Sequence, residues 1–309
     1  MNVISVRPES IFSAARPSSA LGHVVNFPMT RLVIVFLFFA PILLLNFAIV
    51  IGVIDKLAEP WATYVDIVRH LTTLPLLLVS YGMYCRIIEK RGAVELGRDG
   101  AIAQWLAGAA VSGLIVSSFV LLIDLVGDFR ILEYRGGLQL VSNLATFTNG
   151  SLLQELVLLC VVFRLVEEVF GTWASLVGSL AIFAGLHLAN EAQTLTSVAM
   201  LMFSSLILVA PFILSRKIYL SWGFHAGWNF AQAGVFGMLN SGIAFKGWMI
   251  SEVIGPEWLT GGAVGIEGSP LAVAIDFLVG LGILLYARKR GMFVGPKWRR
   301  NTLPVTQPA

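Results

Sequence analysis

The chain has 309 residues, of which 57% are hydrophobic and 13% charged, with mean hydropathy +0.83 and a formal net charge of +3. Soluble domains carry roughly a quarter charged residues, so the composition excludes an ordinary water-soluble enzyme, and the small net charge gives no footing for nucleic acid. What remains is an all-α, polytopic membrane protein with one membrane domain, since no polar stretch is long enough for a second, soluble one.

A crossing needs about 20 apolar residues. Residues 1–28 are polar and mixed, and read as a cytoplasmic N-terminal arm. The first apolar run, 32–54, is too long for the core of a cleavable signal and reads as a retained span. Further apolar segments follow at 71–88, 101–126, 151–166, 173–188, 195–214, 218–238 and 270–287, which makes about eight spans within a membrane domain over 29–290. The stretch 61–69 is amphipathic and suits the membrane surface. The loop 239–269, rich in Gly, Pro and Trp, reads as an interfacial lid without chemistry, with a role in gating substrate entry as the alternative, and 291–309 reads as a cytoplasmic tail. With the N-terminus inside, only Lys56, Arg69, Arg130, Arg135 and Lys246 fall outside, so the positive-inside rule places both termini in the cytoplasm. The expected location is the plasma (inner) membrane. Cys85 and Cys160 lie in or beside apolar segments and read as packed thiols.

Polar groups inside a membrane are costly and mark function by default. His225 and Asn229 are four apart and share a helix face, as do Phe183 and His187. Glu155 lies on the preceding apolar segment. A carboxylate can take a proton from water while a histidine holds that water, and a second histidine with an asparagine can donate to an oxyanion. Glu155, His187, His225 and Asn229 are therefore the candidate catalytic residues for peptide hydrolysis within the bilayer. The set His187, His225 and Glu155 also fits a divalent metal such as zinc, although the histidines are not in an H-E-x-x-H arrangement. Under the glutamate chemistry no cofactor is required. Asp124 and Asp276 read as structural, and Arg164, Glu167 and Glu168 as a solvated cluster.

Phe183…His187 and His225…Asn229, with the flanks Phe170-Gly171-Thr172-Trp173 and Gly223-Phe224-His225-Ala226-Gly227-Trp228, resemble the CPBP membrane proteins, which include the type II CAAX prenyl endopeptidases. The resemblance implies a CPBP-like helical core over about 101–290. It also implies a glutamate and the first histidine activating water, and the second histidine with the asparagine forming the oxyanion hole. The family pattern Glu-Glu-x-x-x-Arg falls on Gln154, Glu155 and Leu159, so one glutamate and the arginine are replaced. The expectation is an intramembrane endopeptidase of CAAX-processing or bacteriocin-processing type with Glu155 as base. The rival is a catalytically silent membrane protein that binds a prenylated or transmembrane peptide as a scaffold or immunity factor. Both take membrane lipid and a peptide or prenylated protein as partners, and neither takes nucleic acid. Gln154→Glu with Leu159→Arg would recreate the family motif, and is expected to raise activity.

Overall fold

The computed structural model describes residues 7–300. The arm at 1–6 and the tail beyond 300 lie outside the described residues. The helices are α1 (Ala20–Asn26), α2 (Pro28–Gly52), α3 (Trp61–Ile87), α4 (Ala101–Val126), α5 (Gly137–Glu155), α6 (Arg164–Phe170), α7 (Thr172–Leu186), α8 (Leu195–Ser204), α9 (Leu206–Ser215), α10 (Tyr219–Asn229), α11 (Glu257–Thr260), α12 (Pro270–Lys289) and α13 (Lys297–Arg300). Their ends follow local chemistry. Pro28 and Pro270 open α2 and α12, where a missing N–H costs nothing. Thr194 caps α8 in a reciprocal pair with Ser197.

Among the described residues, six helices are long and apolar enough to cross a membrane. The other two expected spans are helical but not uniform. A π-helical stretch, Leu156–Phe163, joins α5 to α6, and a second, Phe230–Val235, extends α10. The protein is thus a polytopic helical bundle. Leu37, Leu114 and Leu125 stand exposed on α2 and α4, as a lipid-facing surface requires.

α10 packs along α4 because two glycines remove the side chains between them. A Cβ on Gly223 would lie 2.1 Å from the Trp105 carbonyl oxygen, and one on Gly227 2.5 Å from the Ala109 Cα. This Gly-x-x-x-Gly spacing lets membrane helices approach closely. His225 lies between the two glycines in sequence, so its backbone is fixed by that contact. The Trp222 indole N–H donates to the Thr148 carbonyl at 2.8 Å and ties α10 to α5.

Beside the helices, β1 (Asp128–Tyr134) and β2 (Met249–Ile254) pair antiparallel, Asp128 opposite Ile254 and Tyr134 opposite Met249. The described part of the N-terminal arm packs against the bundle: Ile11 is fully buried and the Ser13 N–H donates to Glu168. One sequence expectation changes, that of a solvated charge cluster. Arg164 and Glu167 are fully buried rather than solvated. Arg164 pairs with Glu89 at 2.7 Å, Arg31 with Glu89 and Glu168 at 3.1 and 2.8 Å, and Arg91 with Glu89 and Glu95 at 2.8 Å each. Charges this deep survive only when partnered. Burial pushes the Glu89 carboxyl up, but Arg164, Arg91 and Arg31 outweigh it and hold the group below its ordinary value.

Candidate active site

A cavity of about 440 Å³ opens among α5, α7, α8, α9, α10 and α12. His187, His225 and Asn229 line it, together with Gln154, Glu267 and Asp276. His187 stands at the end of α7, where the helix tightens into a 3₁₀ turn, and its Nδ1–H donates to the Phe183 carbonyl at 2.8 Å. His225 is buried on α10, and its Nδ1–H donates to Glu155 Oε1 at 2.7 Å. Each ring thus commits Nδ1 to an anchor, which leaves Nε2 for the cavity. The Phe183 ring separates them, 4.7 Å from the His187 ring and 5.9 Å from that of His225 between centroids.

Glu155 is fully buried and is not among the residues lining the cavity. The structure brings it to His225 and not to His187, the partner that the resemblance implied. The reason lies in the backbone. Glu155 closes α5 and the π turn starts at Leu156, so Glu155 turns into the protein while its neighbour Gln154 stays exposed to the cavity. In a π turn the vertical neighbour lies about five residues on, so Leu159 does not sit over Glu155 as a uniform α-helix would place it. Leu159 is fully buried. α10 likewise passes into π geometry just after Asn229. Such bulges recur at functional sites.

The loop between β2 and α12, together with residues 239–243, contributes to the site, so it is more than a lid. Glu267 accepts from the Ser241 N–H at 2.6 Å, the Ser241 hydroxyl at 3.0 Å and Asn240 Nδ2 at 2.8 Å. Asn240 Nδ2 also donates to Asn229 Oδ1 at 3.0 Å. An ionised carboxylate only accepts, so it fixes the Asn240 amide with nitrogen inward. Asn229 then presents its oxygen to Asn240 and keeps its own NH₂ free. Gly265 permits this loop path: it has φ +97°, and a Cβ there would fall 2.3 Å from the Leu239 carbonyl oxygen. Asn190, just past His187, donates to the Ser241 carbonyl at 2.9 Å and ties the loop to the α7 end. Burial pushes the Glu267 carboxyl up to about 7, against the hydrogen bonds from Ser241 and the influence of His225 and Trp228. Asp276 is buried on α12 with Oδ1 unpartnered, and lines the same cavity. Neither acid was singled out for chemistry by the sequence. Glu267 sits in a Gly-rich loop with no helical spacing to relate it to the histidines, and Asp276 is a lone acid in an apolar span.

Among the described residues, no three His, Cys, Asp or Glu side chains gather in a way that could hold a metal ion. The set His187, His225 and Glu155 is not gathered around one point: both imidazoles keep Nε2 for the cavity, but Glu155 lies outside it, bonded to His225 Nδ1.

No curated protein and no solved structure matches the chain. One family model does, that of the Rce1-like type II CAAX prenyl endopeptidases, over residues 136–231. The match spans about a third of the chain and ends before Asn240 and Glu267. Glu155, His187, His225 and Asn229 therefore all lie within the segment of this integral membrane, helical-bundle protein that is similar to the Rce1-like type II CAAX prenyl endopeptidases.

Proposed function

We propose that the protein is an intramembrane endopeptidase that hydrolyses a peptide bond in the bilayer, of CAAX-processing or bacteriocin-processing type. The observation that carries this reading is the convergence of His187, His225 and Asn229 on one cavity, with both imidazoles held by Nδ1. His187 keeps its proton on Nδ1, so Nε2 accepts a hydrogen bond from the attacking water. As water adds to the scissile carbonyl, charge builds on its oxygen. Asn229 Nδ2 and the Nε2–H of His225 donate to that oxygen, with the buried Glu155 carboxylate as the counter-charge behind the ring. Donors set in place before charge develops are often the largest catalytic term. Glu155 is then a positioning residue acting through His225. The protein would sit in the plasma membrane with both termini cytoplasmic and take its peptide or prenylated protein substrate there.

Gln154 favours a second reading. It occupies the cavity wall where the resemblance implies a glutamate, and a silent protein that binds such peptides as a scaffold or immunity factor would not need one. The test is cleavage of a panel of prenylated and transmembrane peptides by purified protein in liposomes, with His187→Ala and His225→Ala in parallel and chelator in one arm. Cleavage abolished by either substitution supports the protease. Peptide binding without cleavage by the wild type supports the silent protein.

A further inference from the structure

His187 Nε2 holds the attacking water, and a carboxylate on the cavity wall that takes the water proton would leave that imidazole neutral. Gln154 cannot accept that proton, and Glu155 is outside the cavity and engaged with His225. Two acids reach the cavity wall, Glu267 and Asp276. Asp276 is almost wholly buried with one oxygen unpartnered, so it is poorly placed to hold charge. Glu267 is half-buried and carries three hydrogen bonds suited to an ionised carboxylate. Oε2 takes both donations from Ser241 and Oε1 that of Asn240, with the Trp228 indole also acting on the carboxyl, so Oε1 is the less occupied oxygen within the loop's own hydrogen bonds. Through Asn240, Glu267 is also two hydrogen bonds from the Asn229 amide.

We infer that Glu267, on the loop beyond the matched domain, is the general base of this site and takes over the proton-accepting role that Gln154 cannot fill. The inference rests on the protease reading. One O–H bond of water breaks and its proton passes to Glu267 Oε1. The oxygen's electron pair forms the bond to the carbonyl carbon, and the carbonyl π pair moves to the oxygen held by Asn229 and His225. When the intermediate collapses, the C–N bond breaks and the leaving nitrogen takes the proton from Glu267. Peptide and water become acid and amine, and the carboxylate is restored. The groups facing Glu267 are Ser241 and Asn240 on the segment before β2, His225 and Trp228 on α10, and Asp276 on α12, and His187 and Gln154 line the same cavity. A carboxyl held up to about 7 is matched to proton transfer near neutrality.

The test measures proteoliposome cleavage against pH for the wild type, Glu267→Gln, Asn240→Ala and the double variant Glu267→Gln/Gln154→Glu, each checked for unchanged size and helicity in detergent. The expected wild-type kcat/KM rises with pH through about 7 and levels off above it, because the base must be unprotonated. Glu267→Gln lowers kcat by about 10²- to 10⁴-fold and removes that limb. Asn240→Ala, which breaks the relay to Asn229 but spares the carboxylate, keeps the limb. The double variant recovers activity, since Gln154 lines the same cavity. Cleavage by Glu267→Gln within threefold of the wild type, or an unchanged pH limb in it, overturns the base assignment and leaves the protease reading intact. Equal losses in Glu267→Gln and Asn240→Ala with the limb kept in both reduce Glu267 to a holder of Asn229. No cleavage by the wild type under any condition overturns the protease reading, and the base with it.

Discussion

Glu155→Gln isolates what the buried carboxylate does. The side chain is fully buried, does not line the cavity and holds His225 Nδ1 at 2.7 Å. Glutamine keeps an oxygen that can accept from Nδ1–H, so the ring stays oriented and only the charge is lost. A charge-assisted hydrogen bond contributes about 1.5–3 kcal/mol. With about 1.4 kcal/mol per tenfold in rate, kcat should fall about ten- to a hundredfold. KM should stay within about threefold, because a residue outside the cavity does not touch substrate. Glu155→Ala also frees the ring, and should cost about 10²–10³ in kcat, as for loss of one oxyanion donor. Thermal unfolding of Glu155→Gln beside the wild type separates a kinetic loss from an unfolded enzyme. The assay is steady-state cleavage in proteoliposomes beside thermal unfolding in detergent. A raised KM with unchanged kcat would refute the reasoning, since it would put Glu155 in contact with substrate.

Other expectations follow from the same structure. Leu159→Arg should destabilise the protein by about 3–5 kcal/mol, the cost of an unpaired buried charge, because Leu159 is fully buried and the π turn does not stack it on Glu155; chemical denaturation reads this. Gln154→Glu alone is therefore the sound way to restore the family carboxylate, contrary to the paired change the motif suggests, and should raise kcat/KM with no loss of stability. Glu89 is held below its ordinary value of 4.5, so its stabilising contribution is complete above about 4.5 and lost as pH falls through the folded value. Unfolding temperatures from pH 7 down to 3 should show a steeper acid loss in the wild type than in Glu89→Gln. Gly223→Leu should separate α10 from α4, since even a Cβ meets the Trp105 carbonyl oxygen at 2.1 Å; the expected result is loss of folded protein on size exclusion. Chelator should leave cleavage unchanged, because Glu155 lies outside the cavity and no three ligating side chains gather among the described residues.

The helical bundle and three of the cavity-lining polar groups were legible because lipid makes each polar residue in an apolar run informative. His187, His225 and Asn229 stood out at helical spacing, and all three face the cavity. Glu155 stood out equally, yet its orientation did not, since apolar periodicity carries no signal for a π turn starting at Leu156. Glu267 was hidden for a different reason. A loop residue 38 positions past Asn229 is brought to it only by the path through Asn240 and the left-handed Gly265, and neither contact leaves a periodic trace. The buried ion network failed to show because Arg164 and Glu168 look like a solvated helix end until Arg31 and Glu89, far away in sequence, are placed beside them.

The most direct test of the central claim is cleavage of a prenylated peptide panel by the purified protein in liposomes, with His187→Ala and His225→Ala as controls. The expected result is cleavage by the wild type and a loss of at least about 10²-fold in kcat in each variant. Cleavage that survives both substitutions, or tight peptide binding with no cleavage by the wild type, would contradict it.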